Sequence, residues 1–281
     1  MSGERFSSWE SAVRWLIDEP SQQALVRACY FDRPAEVAAE RFWSSEEWEA
    51  VRSFLPSSRG YALDVGAGMG ISSYALARDG WKTTALEPDP SFLVGACAIE
   101  SLSKASGLPI QIERDYGEQL PFAHASFDVV HARQVLHHAR DLETLCSEIF
   151  RVLKPGGTLV ATREHVISGP SQLQSFLERH PLHSLYGGEH AFTLKAYLAA
   201  LRGAGFKIKQ VLGPLETVIN YAPFTEESLC SALTERLAAF PLGEHISAVL
   251  LQPRWRSRSL RLLSRCDRRP GRLFSFVCYK D

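Results

Sequence analysis

The stretch Ala62-Leu63-Asp64-Val65-Gly66-Ala67-Gly68-Met69-Gly70, followed by Ile71 to Arg78, leaves the chain few folds to choose from. Tyr61 to Val65 reads as a short buried strand, the glycines as a tight turn, and Ile71 to Arg78 as a helix that begins beneath that turn. This order aims the helix N-terminus and the main-chain amides of the turn at whatever lies over the glycines. The spacing departs from the dinucleotide fingerprint G-x-G-x-x-G, because Gly70 comes one position early and Ile71 stands where the last glycine belongs. Asp64 sits just before the turn. A carboxylate there repels a pyrophosphate and favours a cationic ligand, one carrying an ammonium or a sulfonium, which argues against NAD.

Further strands and acids follow at the intervals a doubly wound sheet requires. Trp81 to Leu86 is a second strand ending in Glu87-Pro88-Asp89, about 20 residues past the loop, where such folds place an acid on ribose hydroxyls. Ile110 to Glu113 ends at Arg114-Asp115-Tyr116, and Gly117 to Phe122 leads to a fourth strand within Ser126-Phe127-Asp128-Val129-Val130. Lys154-Pro155-Gly156-Gly157 then turns into a fifth, Thr158 to Thr162. With this ordered set, Tyr61 to Thr162 resembles the class I S-adenosylmethionine-dependent methyltransferases.

The resemblance implies an α/β, Rossmann-like, doubly wound fold, its mainly parallel seven-stranded sheet closed by an antiparallel terminal strand and extended by helical additions. It also implies S-adenosyl-L-methionine as cofactor. Gly66, Gly68 and Gly70 then form the loop under its methionine part, and Asp64 steers its amino group. Glu87, followed by Pro88, takes both ribose hydroxyls, and Asp115 accepts from the adenine amino group with Tyr116 beside it. His131, just past the fourth strand, meets the methionine portion through its main chain.

Residues 1–59 read as a helical cap, either a cover for the sheet or a lid over the ligand. Val13, Leu16 and Ile17 share one face, Ala24 to Tyr30 suggests a second helix, and Ser44-Ser45-Glu46-Glu47 reads as a capping box opening a third. Residues 60–281 form the methyltransferase domain, with helices at Ile71–Arg78, Ser91–Ser106, Leu142–Leu153 and Leu194–Ala204. Its last strands are Lys207–Leu212 and Arg272–Lys280, and insertions fall at about 164–192 and 214–271, the second holding a helix at Glu226–Phe240. The 281 residues, 45% of them hydrophobic, suffice for a full core, and a formal net charge of -1 gives no global field to attract nucleic acid. The six cysteines have no C-x-x-C spacing, so neither zinc nor a disulfide framework is indicated. No apolar run approaches the length of a membrane span or follows a basic start, and a cytoplasmic protein is expected.

A sulfonium methyl is already activated, so orientation carries much of the expected reaction, while a hydroxyl acceptor also needs a base. His165 follows the fifth strand at the edge where open α/β sheets bind ligands. With Glu189 and His190, brought back by Gly187-Gly188, it makes up the expected catalytic set, one histidine acting as base. His137 and His138 read as structural. His180, His183, Glu189 and His190 match no metal-ligand spacing, and no metal is expected.

The expected acceptor is a small molecule or saccharide, methylated on oxygen. Two other classes fit the fold: an S-adenosylmethionine-binding or interaction module without catalysis, and a nucleic-acid methyltransferase. The latter is disfavoured, because His131-Ala132-Arg133-Gln134 stands where amino methyltransferases carry N/D-P-P-Y/F. Arg254, Arg256, Arg258, Arg261, Arg265, Arg268, Arg269 and Arg272 read as one face of an amphipathic segment. That face either meets an anionic partner or is solvated and paired with acids of the chain.

Overall fold

The computed structural model describes residues 6–241 and 243–281. Four helices come first: α1 (Trp9–Asp18), α2 (Gln23–Ala28), α3 (Ala35–Trp43) and α4 (Glu46–Arg52). Strand and helix then alternate through β1 (Tyr61–Val65), α5 (Ile71–Arg78), β2 (Lys82–Leu86), α6 (Ala96–Ser106), β3 (Ile110–Glu113), β4 (Phe127–Arg133), α7 (Leu142–Val152) and β5 (Leu153–Ile167). Beyond β5 lie α8 (Leu173–Arg179), α9 (Pro181–Leu185), β6 (Phe192–Thr193), α10 (Leu194–Gly203) and β7 (Lys207–Leu212). The chain closes with α11 (Val218–Tyr221), α12 (Glu226–Ala238), α13 (Gly243–Leu250), α14 (Pro253–Cys266) and β8 (Arg272–Tyr279).

The main path of the sheet runs β3-β2-β1-β4-β5-β8-β7, with β6 paired to β5 off this path. The strands from β3 to β5 are parallel, and β8 is antiparallel to both β5 and β7. The sheet thus has eight strands rather than the expected seven, the extra one being the two-residue β6, which meets Val166 and Ile167. Alternation along the strands fills both faces. Leu63, Val65, Val130 and Leu159 pack with Ile149 of α7 and Tyr197 of α10, whereas Ala62, Val129 and Val160 pack with Phe42, Trp48 and Tyr74 from α3, α4 and α5. Burying each large apolar side chain contributes about 1.5–3 kcal/mol.

Four of the expected boundaries move, the first two for local reasons. Helix α6 starts at Ala96 rather than Ser91, because Asp89 folds its own turn, accepting from Ser91 N through its side chain at 2.8 Å and from Ala96 N through its carbonyl at 2.7 Å. Ser45, not Ser44, caps α4, accepting from Trp48 N at 3.1 Å. Strands β4 and β5 run on to Arg133 and Ile167, past the points where polar residues suggested that they end.

Those extensions are held by a buried charge cluster. Glu47 of α4 accepts from Arg133 Nε at 2.8 Å and stands 4.0 Å from Arg163 Nε, while Arg163 Nη1 donates to the carbonyls of Ile219 and Ala222. Burial pushes the Glu47 carboxyl up, and the two arginines outweigh it and hold the group below its ordinary value. The cluster bolts the N-terminal helices onto the ends of β4 and β5. Glu47→Ala would leave buried guanidinium groups uncompensated, so a loss of about 3–5 kcal/mol is expected in denaturant unfolding. A loss under about 1 kcal/mol, the range of exposed pairs, would contradict this role.

Candidate functional site

Two contiguous cavities, of about 510 and 250 Å³, open at the carboxyl ends of β1, β2 and β4 and share walls at Trp9, Gly66, Gly68, Val94, Gln134, His138 and Glu189. The glycine turn forms their floor. Gly66 (φ +61°) has no room for a side chain, since a Cβ would fall 2.7 Å from Val135 Cγ2. Gly68 (φ +57°) faces nearly open space, and a Cβ there would protrude into both cavities.

The larger cavity is lined by Glu87, Pro88, Asp115 and Tyr116, with Leu145 and Val135 supplying apolar wall. Glu87 is buried, and its two oxygens accept from Gly68 N at 2.7 Å and Asp89 N at 2.9 Å. Burial pushes its carboxyl up to about 7 against those two bonds, and the negative charges of Asp89 and Asp64 add to the rise. Such a carboxylate gains from any ligand that brings hydroxyl donors. Asp64, on the wall of the smaller cavity, is held by Ser73 Oγ at 2.6 Å and His131 Nδ1 at 3.1 Å.

The smaller cavity has an apolar side made largely by the N-terminal helices, from Trp9, Leu25, Phe31, Met69 and Leu182. Its polar side is made by His137, His138, His180 and Glu189 together with Asp64, Arg133 and Gln134. His137 Nδ1 lies 2.7 Å from Glu164, and its Nε2 lies 3.5 Å from Glu189 Oε2. Burial opposes a charge on His137, but the two carboxylates outweigh it and raise the imidazole to about 9. The Glu189 carboxyl, which burial alone would raise, falls to about 2 beside His137 and the neighbouring imidazoles.

The expected residues are therefore divided. Asp64, Gly66, Gly68, Glu87, Pro88, Asp115, Tyr116 and Glu189 line one cavity or both. Gly70 lines neither and serves as the N-cap position of α5. His131 is fully buried behind Asp64 with its ring edge-on to Trp48, so the end of β4 and the turn after it are represented in the cavities by Arg133, Gln134 and Val135. His165 and His190 line neither cavity. His165 packs against His137, Phe176 and His180 with Nδ1 on the Gly271 carbonyl, and burial together with the His137 charge pushes it down to about 3. His190 stacks on Phe192. His137 and His138, expected to be structural, stand on the cavity wall instead.

The Arg-rich segment is partly neutralised: Arg256 pairs with Glu226, Arg269 with Asp267, and Arg272 is buried beneath Phe274. Among the described residues no helix is long and apolar enough to cross a membrane.

The comparisons with known proteins agree with this geometry. The family model described as a methyltransferase domain matches residues 63–161. A ubiquinone biosynthesis O-methyltransferase of Xanthomonas campestris pv. campestris is 30% identical over 195 residues, covering 67% of this chain and 77% of its own length. An uncharacterized methyltransferase of Mycobacterium sp. (strain JLS) is 36% identical over 113 residues, and the chain spans 42% of that relative's length. Among solved structures, an S-adenosylmethionine-dependent methyltransferase from Mesorhizobium loti superposes with a TM-score of 0.54 at 21% identity, covering 85% of this chain and 100% of its own. The [4+2]-cyclase SpnF matches at 0.55 and 19% identity over 86% and 80%. This chain belongs to the class I S-adenosylmethionine-dependent methyltransferases.

In the cofactor-free protein the Glu87 carboxyl should titrate near pH 7 rather than at its ordinary 4.5. Since the folded value lies above the unfolded one, ionised Glu87 subtracts from stability, beginning as pH rises past 4.5 and in full above about 7. Carboxyl-carbon NMR across that range is the check, and a midpoint near 4.5 would contradict the burial argument.

Proposed function

We propose that the protein transfers the methyl group of S-adenosylmethionine to a hydroxyl oxygen of a small, largely apolar acceptor. When bound, the cofactor supplies a methyl already activated on a sulfonium. The larger cavity suits it: Glu87 offers two carboxylate oxygens to the two ribose hydroxyls, Asp115 an acceptor for the adenine amino group, and Gly68 leaves room over the turn. Asp64, fixed by Ser73 and His131 on the wall of the smaller cavity, offers its charge to the ammonium where the methionine end of the cofactor passes over Gly66 and Gly68 from the larger cavity. His131 thus acts through its side chain, by positioning Asp64.

The observation that carries the acceptor assignment is the smaller cavity, which joins the first and sets an aromatic and aliphatic wall opposite a buried His/Glu group. A flat apolar body fits the wall, and its hydroxyl belongs beside Glu189, which reaches both cavities. There the carboxylate accepts the hydroxyl's hydrogen bond and takes its proton as the O–CH₃ bond forms and the S–CH₃ bond breaks, while His137 fixes the carboxylate. His165 packs against His137 and His180 from outside the cavity. The name of the Xanthomonas relative specifies oxygen, which favours oxygen here.

Calorimetry with S-adenosylmethionine should show binding that Glu87→Ala weakens by about 1.5–3 kcal/mol for each charged hydrogen bond lost. Incubation with phenols, catechols and the matching anilines should yield S-adenosylhomocysteine and O-methyl products only. Tight cofactor binding without turnover on any of them would favour the interaction-module reading, and N-methylation alone would overturn the oxygen assignment. Phe31→Ala, on the apolar wall, should raise the acceptor KM roughly ten- to a hundredfold, matching the about 1.5–3 kcal/mol of a buried aromatic, while cofactor affinity stays put.

A further inference from the structure

His137, His165 and Glu189 come from three separate segments: the turn after β4, the end of β5 and the loop after α9. One donor atom of each lies within 4.8 Å of the others. The His137 Nε2 to Glu189 Oε2 separation is 3.5 Å, close to the edge of about 3.3–3.4 Å that a tetrahedral ion with bonds of 2.0–2.1 Å imposes on its ligands. Glu189 Oε2 is buried without a hydrogen-bond partner, in a side chain only 10% exposed.

The surroundings orient both imidazoles. Glu164 also accepts the backbone N–H groups of Val135, Leu136 and His137, so it is an acceptor for His137 Nδ1–H and leaves Nε2 turned to Glu189. The Gly271 carbonyl, 3.0 Å from His165 Nδ1, fixes that tautomer in the same way and leaves its Nε2 as the donor. Metal-ligating histidines carry this kind of outer partner, a carboxylate or a backbone carbonyl. A proton on His137 Nε2 answers the Glu189 carboxylate alone, whereas an ion uses all three donors.

We propose that His137, His165 and Glu189 bind a divalent transition-metal ion of the zinc type, with its remaining coordination position on the smaller cavity. Two imidazoles and one carboxylate are a donor set that holds zinc with a position open for water or substrate. His137 and Glu189 line that cavity, so the fourth ligand is an acceptor oxygen, whose proton the ion makes more acidic. This last step rests on the O-methyl transfer reading; the metal site does not.

The test uses the full chain, stripped with chelator and titrated with ZnCl₂ in a calorimeter and with CoCl₂ by visible absorption. One equivalent should bind, with the intense Co²⁺ absorption of a four-coordinate site. Glu189→Gln and His165→Ala should each weaken binding by 100-fold or more, while His190→Ala leaves it unchanged; melting curves confirm that each variant is folded. Absence of stoichiometric binding by the wild type overturns the site whatever the variants do, as does binding that survives both substitutions. S-Adenosylmethionine titrated into the stripped protein separates the two readings. Cofactor binding without metal binding sinks only the metal site, and metal binding without cofactor binding sinks the methyltransferase assignment. Turnover on hydroxyl acceptors that chelation leaves undiminished removes the ion from the acceptor's chemistry.

Discussion

Glu164 is fully buried, and its carboxylate accepts three consecutive backbone N–H groups, from Val135, Leu136 and His137, together with the His137 ring. A carboxylate removed from water is tolerable only when such donors replace the water. Its position depends on an irregularity in β5: one extra residue between Ala161 and Glu164 relative to β8, with Arg163 at φ +60°. Bulges of this kind re-aim side chains beside functional sites. Here the bulge sends Glu164 to the turn after β4, and the turn then sets Gln134, Val135, His137 and His138 on the cavity walls.

The charge pattern of the two cavities follows from the same sheet edge. Asp64, Glu87 and Asp115 gather at the ends of three adjacent strands, a field that suits a cationic ligand with hydroxyl donors and opposes an anionic one. The smaller cavity is assembled from pieces far apart in the chain. Trp9, Leu25 and Phe31 reach it because Glu47, Arg133 and Arg163 clamp the N-terminal helices to the sheet. These helices therefore supply wall as well as cover. The same fold carries a [4+2]-cyclase in one structural neighbour, so the acceptor chemistry must be argued from these walls and not from the sheet.

What was legible in the sequence was the local part. Short apolar runs punctuated by glycine, proline and acids placed β1, β2, β3 and the turn at Gly66–Gly70, and with them much of the wall of the larger cavity. The misread ends of β4 and β5 share one cause. His131, Arg133, Arg163, Glu164 and His165 are polar residues inside strands, and their partners lie 67 residues away for His131 and 86 for Arg133. No local pattern separates such residues from a strand end. His137 read as structural for the same reason, since Glu164 and Glu189 are 27 and 52 positions further on. Gly187-Gly188 did signal the return of Glu189, but nothing nearby signalled that His190 would turn away to Phe192.

A crystal structure with S-adenosylhomocysteine bound decides whether cofactor and acceptor share one site whose two cavities meet at Glu189. The ribose hydroxyls are expected on Glu87, the adenine beside Asp115 and the sulfur at the junction between the cavities, within reach of an acceptor hydroxyl held at Glu189. A nucleoside lodged among Leu25, Phe31 and Leu182, or a sulfur facing away from Glu189, would contradict this arrangement.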